Sequence, residues 1–172
     1  MTEKDLMIDL DQIDMSNVIA DSEEIRKYNP QRHEMEQLTA IVYDDPETNI
    51  CVGYKDIADD EFWVRGHMPG MPLMPGVVML EAAAQMSSYY VQKHDLLKAE
   101  MVGFGGLEDV RFRGVVLPGK RLILIGKLLK VRPRRMIINR FQGVVDGNIV
   151  VEGTLKGIAL PVAALKEATK QS

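Results

Sequence analysis

VVMLEAAAQMSSYYVQ, residues 77–92, carries a single charge, Glu81. Apolar or small side chains fill most of the helical wheel, so the stretch predicts a helix buried on nearly all faces, about 24 Å long. The C-terminal third has another period. Residues 121–131, 136–145 and 148–160 are long β-prone runs, and in the last Ile149, Val151, Gly153, Leu155 and Gly157 alternate with Val150, Glu152, Thr154 and Lys156. Asp146-Gly147 signals a two-residue hairpin, and Gly126, Gly143, Gly153 and Gly157 would let such long strands bend. Upstream, residues 38–43 and 50–54 are short β-prone runs flanking the loop DDPETN, which predicts an antiparallel hairpin. One buried helix and one long curved antiparallel sheet predict an α+β fold in which the sheet wraps the helix.

A chain of 172 residues, 46% hydrophobic and 27% charged, is long enough for one domain with a real core. Residues 1–21 are acidic and sparsely patterned and read as an extension. Ser22 is placed to cap a short helix running to about Tyr28, with Glu23 and Glu24 in its first turn. The lone cysteine, Cys51, leaves no disulfide framework and no multi-cysteine zinc site, which suits a cytoplasmic protein. The N-terminus has no apolar core of a secretory signal, and the longest uncharged stretches, 66–80 and 82–92, are too short to span a bilayer. No membrane span is expected.

The formal net charge of −4 hides an asymmetry. Residues 1–61 hold 17 acids and 5 bases, whereas residues 62–172 hold 8 acids and 16 bases. Between residues 111 and 135 lie nine bases and no acid. Such a patch suits an acidic partner and equally suits a solvated sheet face. With Phe112 its one aromatic residue and no nucleic-acid motif, nucleic acid is not the expected partner.

The chemistry concentrates in GHMPGMPLMPGVVMLEAAAQ, residues 66–85. Pro69, Pro72 and Pro75 favour extended geometry, so His67 is presented from a stiff loop before the helix opens at Gly76. The free N–H groups of Gly76 and Val77, at the positive end of the helix dipole, can hold an anion or a polarised carbonyl. Glu81 lies about one turn further in, where burial would push its carboxyl up and let it act as a general acid. His67 is the natural base for a weakly acidic C–H. Each feature also has a plainer reading: a glycine that starts a helix, an acid favoured by the helix dipole, a loop histidine satisfied by its neighbours. His33 and His94 sit among polar neighbours and carry no assignment.

The order of these residues resembles the β-hydroxyacyl-acyl carrier protein dehydratases of the FabZ type. Their signature is a histidine, a Phe-Pro-Gly-x-Pro-x-x-Pro-Gly-Val loop and Glu-Ala-x-Ala-Gln; here the match is HMPGMPLMPGVVMLEAAAQ. A second family block appears as EDVRFRGVVLPG, residues 108–119. The resemblance implies a hot-dog domain over residues 22–160, between the extension 1–21 and a tail 161–172. It implies dehydration of a (3R)-hydroxyacyl thioester to the trans-2-enoyl thioester, with His67 as base, Glu81 as acid and Gly76 and Val77 as carbonyl donors. The related FabA-type enzymes carry Asp at the acid position, so Glu81 points to the simple dehydratase.

The same resemblance implies a homodimer whose sites join the histidine of one subunit to the acid of the other, and admits a trimer of dimers. It implies no metal or redox cofactor, and as partner an acyl carrier protein bearing phosphopantetheine, met by Arg111, Arg113, Arg132, Arg134 and Arg135. Two alternatives remain, a hot-dog acyl thioesterase and a non-catalytic acyl-carrier-binding subunit. The first needs an activated water; the second has no evident use for His67 with Glu81. Two departures bear on substrate shape and assembly. The family's His-Arg-Tyr-Pro-Phe-Leu-Leu-Val-Asp-Arg stretch becomes QRHEMEQLTA, residues 31–40, and Met68 replaces the phenylalanine after the histidine.

Overall fold

A computed structural model describes residues 6–170, so the first five residues of the expected extension and the last two of the tail lie outside the described residues. Its strands are β1 (Ala40–Asp45), β2 (Ile50–Asp56), β3 (Val102–Phe112), β4 (Arg121–Arg132), β5 (Met136–Val145) and β6 (Asn148–Ala159). They form one antiparallel sheet in the order β1-β2-β4-β5-β6-β3. The helices are α1 (Ser22–Ile25), α2 (Gly76–Lys93) and α3 (Val162–Lys170).

The helix expected over 77–92 is α2, one residue longer at each end. Its Leu, Glu, Gln and three consecutive Ala residues are good helix formers, and it stops where Asp95 turns to φ 49°. Strands β2 to β6 pack against it, and Ala82, Met86, Tyr89 and Val91 are sealed among Leu122, Leu124 and Phe141. Cutting a large side chain to alanine in such a core costs about 2–5 kcal/mol. The sheet wrapped around one helix is the α+β hot-dog arrangement that was expected. Asp146 (φ 48°) and Gly147 (φ 75°) supply the two positive angles of the anticipated hairpin.

Three elements depart from the sequence reading. Helix α1 is a single turn capped by Asp21, whose Oδ1 accepts from the Glu24 N–H at 2.9 Å, rather than a helix capped by Ser22 and running to Tyr28. Strand β3 escapes a period-2 reading because three glycines and Glu108-Asp109 interrupt it; pairing with β6 across two register shifts holds it extended. Helix α3 arises where only a tail was expected.

Residues 6–15 lie against the sheet, where Ile13 is buried with Val42, Val52, Ile125 and Val144 in a second apolar cluster. The Met7 N–H donates to Gln142 Oε1 at 2.9 Å. Ala20 bridges to Ile41, covering part of the outer edge of β1. Both sheet faces are therefore covered in this region, and β6 is buried continuously from Ile149 to Gly153 rather than on alternate residues. No helix among the described residues is long and apolar enough to cross a membrane.

Candidate active site

His67 stands on a loop tied at both ends. The Trp63 carbonyl accepts from the Gly66 and His67 N–H groups at 3.1 and 2.8 Å, and the Trp63 ring is buried. Met68 and Met71 exchange backbone bonds of 2.9 Å around Pro69-Gly70, a turn whose φ of +75° at Gly70 suits glycine. The Leu73 N–H returns to the His67 carbonyl at 2.8 Å, and the Met74 N–H reaches the Val116 carbonyl at 2.9 Å. The His67 ring is thereby oriented, with Nδ1 2.8 Å from the Leu73 carbonyl oxygen. A carbonyl only accepts, so in the neutral ring Nδ1 bears the hydrogen and Nε2 keeps the lone pair.

Helix α2 begins after Pro75, whose carbonyl accepts from the Val78 and Met79 N–H groups at 2.9 and 3.3 Å. The Gly76 and Val77 N–H groups have no acceptor among the described residues. Both residues line one cavity of about 410 Å³ with His67, Leu73, Met79 and Phe112. The structure thus brings the histidine and the two expected donors together in a mostly apolar setting.

Glu81 opens elsewhere within one chain. It is half-buried and lines a cavity of about 210 Å³ with Gln31, Ser87, Phe104 and Leu155; the two cavities share no lining residue. Nor is it the isolated acid its sequence neighbours suggest: Gln85 Nε2 donates to its Oε1 at 2.7 Å, and Gln31 Nε2 approaches at 3.5 Å. Sequence reasoning missed both glutamines. The spacing of four residues on one helix could have revealed Gln85, whereas Gln31 lies 50 residues away and gave no signal. Nearby, the guanidinium of Arg26 holds the Glu36 carboxyl below its ordinary range, through bonds of 3.0 and 2.8 Å.

The nine bases of residues 111–135 divide. Arg113 pairs with Glu152, Lys120 with Asp146 and Arg121 with Asp56, while the other six make no ion pair among the described residues. Arg111 and Arg113 flank Phe112 in sequence, but only Phe112 lines the His67 cavity; Arg111 lines a separate one with Asp109, Arg140 and Glu152. Arg132, Arg134 and Arg135 sit at the exposed β4–β5 turn, where the Arg134 N–H meets the Leu97 carbonyl beyond the C-terminal end of α2. Within one subunit the length of α2, roughly 27 Å for its 18 residues, separates Leu97 from Gly76.

Residues 29–154 match the model of the FabA-like domain. The chain is 33% identical over 138 residues to the 3-hydroxyacyl-[acyl-carrier-protein] dehydratase FabZ of Clostridium botulinum, covering 78% of this chain and 92% of that one. It is 36% identical over 140 residues to the enzyme of the same name from Mannheimia succiniciproducens, covering 80% and 91%. Among solved structures it is similar to a chain of the dehydratase heterocomplex ApeI:P from Xenorhabdus doucetiae, with TM-score 0.67, 16% identity and coverage of 84% and 96%.

Proposed function

Since the chain belongs to the FabA-like family and is a 3-hydroxyacyl-[acyl-carrier-protein] dehydratase of fatty acid biosynthesis, we propose that His67 is its base and Glu81 its acid. His67 Nε2 takes the C2 proton; the C–H electron pair becomes the C2–C3 double bond as the C3–O bond breaks. Glu81 gives its proton to the departing 3-hydroxyl, which leaves as water. The Gly76 and Val77 N–H groups hold the thioester oxygen while enolate charge develops. The observation that carries this reading is the 2.8 Å bond from His67 Nδ1 to Leu73, which leaves Nε2 basic in the cavity that holds both unpaired amides. The product of the (3R)-substrate is then the trans-2-enoyl thioester.

The working unit in this reading is a homodimer. Strand β3 is bonded to β6 on one side only, and Phe104, Leu107 and Phe112 on it are exposed. Phe104 lines the Glu81 cavity and Phe112 the His67 cavity. Antiparallel pairing of two β3 strands about Glu108 sets residue 112 of one subunit against residue 104 of the other, so each histidine cavity meets the partner's acid. Of the bases expected to meet the acidic surface and phosphate of an acyl carrier protein, Arg111, Arg132, Arg134 and Arg135 make no ion pair among the described residues and suit that role, whereas Arg113 is engaged by Glu152. We assign residues 22–160 to this domain, flanked by the N-terminal segment and a C-terminal tail, and place the protein in the cytoplasm.

Incubation with (3R)-hydroxyacyl carrier-protein thioesters of several chain lengths, followed by mass spectrometry, tests the assignment. Loss of water from the carrier-bound chain is expected. Release of free acid would indicate a thioesterase, and an unchanged substrate a non-catalytic subunit.

A further inference from the structure

Gln85, one turn along α2 from Glu81, is 3% exposed. Its Oε1 accepts from the backbone N–H of Gln37 at 2.9 Å, and its Nε2 donates to the Met35 carbonyl and to Glu81 Oε1, both at 2.7 Å. Exchanging oxygen and nitrogen would set N–H against N–H at Gln37 and oxygen against oxygen at Met35, so the backbone admits one orientation of this amide. Both Nε2 hydrogens are then used, one of them on Glu81. The surrounding stretch is itself pinned: Asn29 Nδ2 donates to the Gln85 carbonyl at 2.8 Å, Gln37 Nε2 to the Glu34 carbonyl at 2.7 Å, and Arg26 grips Glu36. Asn29 and Gln37 are as deeply buried as Gln85, at 3% and 1% exposure. Buried amides are costly unless bonded, and here three converge behind one carboxyl group.

We propose that Gln85, held by residues 29–37 and joined by Gln31, is a positioning device for Glu81 that occupies Oε1 with N–H donors and leaves Oε2 to carry the proton. The proposal rests on the reading of Glu81 as the acid. In a protonated carboxyl the oxygen without hydrogen is the better acceptor, so donors on Oε1 direct the hydrogen to Oε2. They also fix the side-chain rotamer, and with it the direction from which the proton leaves. The altered stretch 31–40 thus has a use in the site: its Met35 carbonyl and Gln37 N–H set the orientation of Gln85.

The test compares Gln85→Met and Gln31→Met in the full-length enzyme, each keeping bulk while removing the donor, with Glu81→Gln as reference. Steady-state kinetics on a carrier-bound 3-hydroxyacyl thioester are paired with infrared difference spectra, in which the Glu81 carboxyl bands are those that Glu81→Gln abolishes. Gln85→Met is expected to lower kcat by about tenfold or more while KM stays within about twofold, and to shift the Glu81 bands. Gln31→Met, at a half-buried position that leaves the core intact, should act in the same direction more weakly, and supplies the readout if Gln85→Met fails to fold. Unmoved bands and unchanged kcat in the folded variants, with Glu81→Gln inactive, would overturn the positioning role alone. Wild-type turnover by Glu81→Gln would overturn the acid assignment and this proposal with it.

Discussion

Phe112 lies over Gly76 so closely that a β-carbon on Gly76 would stand 2.7 Å from its Cε1 and 2.8 Å from its Cζ. The end of β3 thus closes the wall beside the unpaired amides, and glycine is what lets it do so. Gly76→Ala must displace the ring, which lines the His67 cavity. We expect kcat/KM to fall about tenfold or more, with a native circular dichroism spectrum, and Phe112→Leu added to Gly76→Ala to recover part of the loss. Wild-type kcat/KM in the single variant would contradict this.

Charge on the β4–β5 turn should govern the carrier rather than the chemistry. Reversing Arg132, Arg134 and Arg135 to Glu is expected to raise KM for carrier-bound substrate and to spare a small thioester analogue, and added salt should act like the reversal. Arg111→Glu, which removes a base that makes no ion pair among the described residues, should act in the same direction. Equal responses from both substrates would assign these bases to the fold or to catalysis.

The segment over the outer cluster should contribute stability without touching turnover. Ile13, 8% exposed, packs with Val42, Val52 and Ile125. Ile13→Ala is expected to lower the unfolding free energy by about 2 kcal/mol in urea titrations with kcat unchanged. An unaltered midpoint would show that the contact carries no stability.

The Arg26–Glu36 pair anchors the stretch that holds Gln85, and it has a pH signature. Arg26 depresses the folded-state pKa of Glu36 below 4.5, chiefly by hydrogen bonding. The stabilisation is therefore present above that value and is lost as pH falls through the lower folded-state pKa. Arg26→Met should lower stability at neutral pH, only modestly because the pair is partly exposed, and the deficit should vanish as pH falls through the folded-state pKa of Glu36. Parallel profiles for the variant and the wild type would contradict the coupling.

Much of this was legible because its signals are local. The nearly uncharged run around Glu81, the Asp146-Gly147 turn and the proline-punctuated loop each determine a conformation within a few residues. Strand β3 was not legible, since its extended form comes from pairing with β6 and its interruptions at Gly105, Gly106 and Asp109 are absorbed as register shifts. Residues 6–15 read as part of an acidic, sparsely patterned extension because Leu6, Ile8, Leu10 and Ile13 follow no single period; they pack as an irregular strap. In the site, His67, Gly76 and Val77 could be read along one loop. Of the partners of Glu81, Gln85 follows from its helical spacing but Gln31 does not, and the backbone of Met35 and Gln37 that orients Gln85 likewise arrives from about 50 residues upstream.

The central claim, that the His67 of one subunit works with the Glu81 of another, is tested most directly by mixing two inactive variants, His67→Ala and Glu81→Gln, under conditions that exchange subunits. Each alone should lose about 10²-fold or more in kcat. In a heterodimer one of the two sites receives both intact groups, so full random exchange should restore about a quarter of wild-type activity. Absence of recovery despite exchange demonstrated by native mass spectrometry would place the pair within a single subunit and contradict the composite site.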